Sequence, residues 1–400
     1  MSIENPFNSK KNMEAGGLYK DFSFGPRTPE NYENGLDQSS FSEIKESLTN
    51  QELDPVTEER INSLISSWLD SPEKVKPYQD MRDILETIRK LPLGKERVRQ
   101  MNTVIRTLGR PDNLATYLDM LRDSATRSGT EEQKICKEKL QNVKMHSIYG
   151  WCGNTLSVES LDFLTDGTFR SNPELGRKLG NSPSAWNLTI HVWQPNLTAE
   201  GFSLDSEHLD EDSILEPPHS HPFDFVSKIV KGNMYQSIYR QKSEDAIRID
   251  NKPKAVPGYY DKNELVHVDG VWPPHDFQQD CSIETLEHRV PMNEGDSYYM
   301  PCNFMHDVEV GRTIALSKPT ISLFLSSEYM VMPHVYMTKA MSDFHEANPD
   351  IKRMGAPIPG DSWHKKLEAI SAYLRGESET LDLNEIVNWK GNYAFHNIRK

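Results

Sequence analysis

The pair His219 and His221, one residue apart, constrains this chain more than any other feature. It follows a double proline and precedes the apolar segment 223–231, which favours a strand. Because side chains alternate between the two faces of extended backbone, both imidazoles point to one side. Imidazole is a good ligand for iron, copper, nickel and zinc, but two rings alone hold a metal weakly. The pair therefore predicts a metal site whose third ligand comes from another part of the chain.

A second segment, Gly295-Asp-Ser-Tyr-Tyr-Met-Pro-Cys-Asn-Phe-Met-His306, offers that third ligand. Beyond it, His306 and the valines that follow alternate with Asp307 and Glu309, as in a half-buried strand. A turn between Pro301 and Met305 would deliver His306 to an interior face. The candidate metal ligands are therefore His219, His221 and His306.

Short strand-like segments surround both motifs. Apolar Leu188, Ile190 and Val192 alternate with polar residues between 186 and 193, which predicts a half-buried strand. Many short strands with turn residues between them are typical of a β-sandwich or a barrel. The other predicted strands are 223–231, 234–240, 265–268, 297–301, 306–311 and 319–326.

Helical periodicity flanks this β-rich part. Residues Ile61, Leu64, Ile65, Trp68 and Leu69 share one helix face, and Thr57 is a candidate N-cap before them. Further helices are predicted over 75–91, 95–108, 112–127 and 131–145. The expected organisation is an extended or partly disordered arm (1–50), a helical domain (51–149), a β-rich metal-binding domain (150–335) and a C-terminal helical extension (336–400).

Charge and composition exclude several classes of protein. A formal net charge of −15 argues against nucleic acid or an anionic membrane as the main partner. No apolar run approaches the length of a membrane span. The four cysteines are scattered without a Cys-x-x-Cys motif, and the N-terminus lacks the apolar core of a signal peptide. We therefore expect a cytoplasmic protein with free thiols.

The two histidine motifs together resemble those of the cupin superfamily, G-x5-H-x-H-x3/4-E-x6-G and G-x5-P-x-G-x2-H-x3-N. The resemblance covers roughly residues 185–330. It implies a mainly β fold with α elements: a double-stranded β-helix, or jelly-roll barrel, beside an N-terminal helical domain and C-terminal helices. It also makes a homodimer an expectation. The matched positions are His219, His221, Gly232, Gly295, Pro301 and His306.

The departures from the cupin pattern bear on the chemistry. Phe225 and Val226 hold the two possible positions of the cupin glutamate, so three neutral imidazoles remain. A three-histidine cupin site resembles the cysteine (thiol) dioxygenases, which bind Fe(II); Zn, Ni or Mn are alternatives. Ser322 matches the serine of that family's Ser-x-His-x-Tyr triad, but Phe324 and Ser326 replace its histidine and tyrosine. Free cysteine is therefore expected to be a poor substrate.

This ligand set predicts a mononuclear non-haem Fe(II) oxygenase. Three neutral ligands leave open positions for O2 and a small polar, amino-acid-like substrate, with a thiol or an amine among the candidates. The alternatives are a redox-neutral metal-dependent cupin of the isomerase type and a non-catalytic cupin binding module. Besides the ligands, we predict catalytic roles for Tyr235, Tyr239 and Ser322. The predicted substrate pocket comprises Trp193, Phe223, Phe225, Arg240, Tyr298 and Phe324, with Lys228 as another candidate partner for a substrate carboxylate.

Overall fold

The structure is a computed structural model with helices at both ends of a β-rich middle part. None of the helices in the described ranges is long and apolar enough to cross a membrane. The structure describes residues 40–92, 94–127, 129–130, 134, 144–146, 154–162, 186–194, 213–221, 223–241, 260–264, 283–302, 304–311, 318–327, 334–338 and 362–381.

Six helices lie within these ranges, together with a short 3₁₀ turn at Pro72–Lys74. The predicted helices at 75–91, 95–108 and 112–127 are confirmed, each within a few residues. The helices are α1 (Phe41–Asn50), α2 (Pro55–Asp70), α3 (Pro77–Arg89), α4 (Lys95–Leu108), α5 (Pro111–Thr126) and α6 (Ser362–Leu374).

Twelve strands lie within the described ranges and confirm most of the predicted strand segments. The predicted strand at 265–268 lies outside the described residues. The strands are β1 (Lys144–His146), β2 (Asn154–Asp162), β3 (Asn187–Gln194), β4 (Ser213–Ser220), β5 (Phe225–Lys231), β6 (Asn233–Gln241), β7 (Tyr260–Glu264), β8 (Ile283–Asn293), β9 (Ser297–Met300), β10 (Met305–Gly311), β11 (Thr320–Ser326) and β12 (His334–Thr338).

The strands form two antiparallel sheets of six strands. Sheet I has the order β1-β2-β3-β11-β5-β9, and sheet II has the order β7-β12-β4-β10-β6-β8. Strands β4 and β10 are neighbours in sheet II, although 87 residues separate His219 from His306. The closed jelly-roll barrel stays a prediction.

Three predictions about the helical part were wrong. Residues 41–50, assigned to an extended arm, form α1, which begins with a capping box between Ser40 and Glu43. The N-cap of α2 is Asp54, whose carboxylate accepts a hydrogen bond from the Thr57 N–H at 2.9 Å. Leu69 is 60% exposed rather than part of the buried stripe.

The predicted helix at 131–145 is wrong at its end, because β1 occupies Lys144–His146. Most of its remainder lies outside the described residues. At the other end of the chain, α6 confirms the predicted helical patterning: Leu367, Ile370 and Leu374 are buried, and α6 packs on α5.

The helical part packs on the outer face of sheet I, mainly through α4. Lys228 of β5 points to this face, and its Nζ donates a hydrogen bond to the Gly109 carbonyl at 2.8 Å, just past the end of α4. A cation at a helix C-terminus satisfies one of the carbonyls that the helix leaves unpaired. The opposite face of sheet I, which carries Phe225 and Phe324, is the inner face.

Helix α1 joins the edges of the two sheets. Ser42 at its start donates hydrogen bonds to the carboxylate of Glu287 on β8, the edge of sheet II. Near its end, Thr49 exchanges two hydrogen bonds, of 2.9 and 3.2 Å, with the backbone of Ser297 on β9, the edge of sheet I. The helix thereby covers the seam between two edge strands, whose unpaired backbone groups need partners.

Candidate metal centre

The fold brings the three predicted ligands to one point on the inner face of sheet II. His306 near the start of β10 lies opposite His219 near the end of β4, and His221 follows directly after β4. One ring nitrogen from each of the three lies within 4.8 Å of the others. The Nε2 atoms of His221 and His306 are 3.0 Å apart. No other group of metal-binding side chains of this kind occurs among the described residues.

The environment favours the neutral form of two of these imidazoles. Burial lowers the pKa of His221 and of His306 well below the usual value, and the neighbouring histidines lower both further. Neutral imidazole is the form that ligates metals, because a protonated ring has no free lone pair. His306 and His219 are buried, while His221 is half-buried. The centre is therefore prepared for a cation and disfavours protonation.

Two glycines of the motifs shape turns by which the chain passes from one sheet to the other. Gly232, between β5 and β6, has φ +77°, and Gly295, between β8 and β9, has φ +95°. Glycine adopts this region without the strain that a side chain would cause. At Gly232 an added Cβ would also approach Thr320 to about 3.0 Å. The matched glycines thus have a backbone role in the β5–β6 and β8–β9 connections, each of which joins the two sheets.

Gln236 lies directly behind His306 and was not predicted. Its Oε1 lies 3.3 Å from His306 Nδ1, and its Nε2 donates to the Tyr298 hydroxyl at 2.9 Å. The signal was present in the sequence: Met234 and Ile238 flank Gln236 on one apolar face of β6. A polar residue on an otherwise apolar face is the informative exception, and all three are buried.

Aromatic rings surround the exposed side of the centre. Phe225 meets His221 edge-on at 4.8 Å between ring centroids and lies 5.9 Å from His306. Phe223 stacks on His221 at 5.3 Å, and Phe324 lies 4.5 Å from Phe225. The structure thus brings three of the predicted pocket residues to the centre.

Ser322 and Trp193 lie further along the inner face of sheet I. The indole Nε1 of Trp193 donates to the Ser322 hydroxyl at 3.2 Å. The His191 ring lies between Trp193 and Phe324, at 5.5 and 5.4 Å respectively. His191 therefore borders the centre without belonging to its ligand group.

The structure places Tyr235 and Tyr239, for which catalytic roles were predicted, away from the three histidines. Both project from the face of β6 opposite Gln236. The Tyr239 hydroxyl donates to Asp307, which points away from His306 because the two are consecutive on β10. Tyr235 is 38% exposed and has the Arg289 guanidinium 4.7 Å above its ring. Neither tyrosine faces the ligands.

Of the two candidate partners for a substrate carboxylate, the structure describes the side chain of Lys228 but not that of Arg240. Lys228 lies on the outer face of sheet I, so it cannot serve the centre. The side chain of Arg240 lies outside the described residues, although its backbone pairs with Glu284 in β6 and β8.

Asp224 connects the two segments that carry the ligands. Its carboxylate accepts a hydrogen bond from the Cys302 N–H at 2.7 Å and another from the Tyr299 hydroxyl at 2.7 Å. Its own carbonyl accepts from the Ser327 N–H at 2.8 Å. Asp224 lies three residues after His221, and Cys302 lies four residues before His306. One buried carboxylate thus holds the two turns together.

The donor set fits a divalent transition metal. For metal–nitrogen bonds of about 2.1 Å, nitrogens at adjacent octahedral corners lie about 3.0 Å apart, and at tetrahedral corners about 3.4 Å. The 3.0 Å between the Nε2 atoms of His221 and His306 is compatible with two ligands of one ion. The same separation suits an N–H···N hydrogen bond between two neutral rings, so metal content is the deciding measurement.

Comparison with known proteins gives only remote likenesses. No protein-family model matches the chain, and no curated protein matches its sequence. One similar solved structure is hydroquinone 1,2-dioxygenase PnpCD with Cd2+ and 4-hydroxybenzonitrile, at 10% identity and a TM-score of 0.18, over 35% of this chain and 58% of that chain.

Two further solved structures are similar to a larger share of the chain. The 11S globulin from Wrightia tinctoria has 10% identity and a TM-score of 0.22, over 57% of this chain and 41% of that chain. The L-ribose isomerase of Acinetobacter sp. DL28 has 14% identity and a TM-score of 0.24, over 55% and 80%. The chain spans less than two thirds of the dioxygenase and globulin chains. With such low TM-scores, these likenesses settle neither the fold nor the function.

Proposed function

We propose that this chain is a cupin-type, mononuclear non-haem Fe(II) oxygenase. His219, His221 and His306 would hold the metal, and the substrate would be a small molecule other than free cysteine. The observation that carries the proposal is the cluster of three converging imidazoles, of which burial lowers the pKa of His221 and His306. Buried neutral imidazoles this close together are costly to protonate and well suited to a divalent ion.

When bound, iron(II) would supply adjacent coordination positions at which O2 is activated beside the substrate. The protein's contribution is to hold the three rings and to exclude water. Phe223, Phe225 and Phe324 form an apolar wall beside His221, which favours a substrate with an apolar part next to its metal-binding group. Apolar surroundings also strengthen the electrostatic attraction between an anionic substrate group and the ion.

A redox-neutral isomerase would need a general base beside the metal. The acidic residues adjacent to the ligands in sequence are engaged elsewhere. Asp224 is bound by Tyr299 and Cys302, while Asp307 faces away and accepts from Tyr239. Among the described residues near the ligands, this arrangement favours the oxygenase over the isomerase.

The proposed partners are the small-molecule substrate and O2, without nucleic acid or membrane; a homodimer and a cytoplasmic location remain proposals as well. The test is oxygen consumption by protein loaded with Fe(II) under anaerobic conditions and then offered a panel of small thiols, amines and phenols. We expect substrate-dependent consumption that His306→Ala abolishes. Turnover by Zn- or Mn-loaded protein without oxygen uptake would instead establish the redox-neutral reading.

A further inference from the structure

We propose that Gln236, Tyr298 and Phe41 form a positioning relay that sets the orientation of His306 and selects the tautomer able to bind metal. The proposal rests on the proposed metal site, because it concerns one of its ligands. None of these residues would touch the metal or the substrate. Their role would be to decide which nitrogen of His306 is free.

The first step of the relay joins His306 to Gln236. His306 Nδ1 lies 3.3 Å from Gln236 Oε1, while His306 Nε2 is the atom that faces His221 at 3.0 Å. An amide oxygen can only accept, so a hydrogen bond at this contact requires the proton on Nδ1. The lone pair then resides on Nε2, which faces the other ligands. Ligating histidines commonly have such an outer partner on the second ring nitrogen.

The second step holds the Gln236 side chain in place beside His306. Its Nε2 donates to the Tyr298 hydroxyl at 2.9 Å, and Gln236 is fully buried. If the amide were rotated by half a turn, its NH2 group would face His306 Nδ1 and favour the opposite tautomer. That tautomer would place a proton on Nε2 and block ligation. Tyr298, which the sequence analysis assigned to the substrate pocket, therefore acts through Gln236.

The third step anchors Tyr298 to helix α1. The Phe41 ring meets the Tyr298 ring edge-on at 5.6 Å between centroids, and Phe41 is 1% exposed. Phe41 is the first residue of α1, which also joins the edge strands β8 and β9. The N-terminal helix thus contributes to the metal centre without contributing a ligand.

The first test measures affinity for Co(II) by its absorption spectrum, with a competing chelator. We expect Gln236→Met to bind Co(II) about tenfold or more weakly, the usual effect of removing an outer partner of a ligand. Tyr298→Phe should weaken binding less than Gln236→Met. Phe41→Leu should weaken binding to a similar or smaller degree than Tyr298→Phe.

The matched control is Tyr299→Phe. Tyr299 is the next residue on β9, is equally buried, and also loses one hydroxyl hydrogen bond, but that bond goes to Asp224. Because this bond belongs to the link between the two ligand-bearing turns, Tyr299→Phe shows how far a lost hydroxyl bond in that frame lowers Co(II) affinity, and we expect a smaller loss than in Tyr298→Phe. Equal losses of affinity in Tyr298→Phe and Tyr299→Phe would mean that general destabilisation, and no relay, explains the effect.

The second test needs no metal. In the metal-free protein labelled with 15N-histidine, NMR should show His306 as the Nδ1–H tautomer, and Gln236→Met should shift it towards Nε2–H. An Nε2–H tautomer in the wild type would overturn the relay even if every variant bound metal normally. A wild type that has the expected tautomer but binds no metal would instead refute the proposed function and leave the relay in place.

Discussion

Replacing Asp224 by Ala is expected to destabilise the fold strongly, because this carboxylate joins the two ligand-bearing turns. It accepts two hydrogen bonds of 2.7 Å and is 4% exposed. A hydrogen bond to a charged group contributes about 1.5–3 kcal/mol, and the variant leaves a buried N–H and a buried hydroxyl without that partner. Relief from burying the charge offsets part of this loss. We therefore expect Asp224→Ala to lose about 3 kcal/mol of unfolding free energy.

The assay is urea unfolding followed by tryptophan fluorescence, with Asp296→Ala as the control. Asp296 also has a backbone and a charged partner, the Asn293 N–H at 2.8 Å and Lys45 Nζ at 3.3 Å, but it lies in a solvent-accessible turn. Accessible ion pairs contribute little, so the control should lose about 1 kcal/mol. If Asp224→Ala loses no more than Asp296→Ala, the inference that Asp224 holds the two turns together is wrong.

The remaining predictions concern Lys228 and Phe225. Burial and the nearby Arg106 and Arg110 lower the pKa of Lys228 to about 8, so the folded state loses this proton before the unfolded state does. The unfolding free energy of the wild type should therefore rise from about pH 8 to about pH 10 compared with that of Lys228→Met. Urea titrations of both proteins at the two pH values measure this difference, and a difference that is constant or falls with pH would contradict the prediction. Thermal melting must first show that Phe225→Glu is folded. This variant should then bind Fe(II) at least as tightly as the wild type but have a lower turnover rate, whereas Phe225→Leu should keep the wild-type affinity and rate. Undiminished turnover by the Glu variant would mean that the coordination position beside Phe225 is unused.

The sequence could predict the three histidines that converge because their spacing and alternation are local properties. The parity of His219 and His221 and the turn before His306 required no knowledge of the fold. Two helix-capping signals are equally local, although the predictions did not include them. Pro55 after Asp54 marks the start of α2, and Ser40 with Glu43 marks the start of α1. The sequence therefore contained enough information to place the starts of both helices.

The faces of β6 could not be assigned from alternation. Gln236 and Ile238 are buried on one side, but Ser237 and Tyr239 are buried on the other. When both faces of a strand are buried, the sequence shows no polar face that marks the solvent side. The catalytic roles of Tyr235 and Tyr239 were therefore predicted from their residue type alone. Pairing with β10 decides the matter, because Ile238 lies opposite His306. That register is a long-range property that a single sequence does not reveal.

The most direct test of the proposed metal site is the metal content of the protein purified anaerobically with added Fe(II). We expect about one metal ion per chain. His219→Ala, His221→Ala and His306→Ala should each remove most of it, while His191→Ala, which alters a ring bordering the centre, should not. Full metal occupancy in His306→Ala would contradict the proposal that His219, His221 and His306 hold the metal.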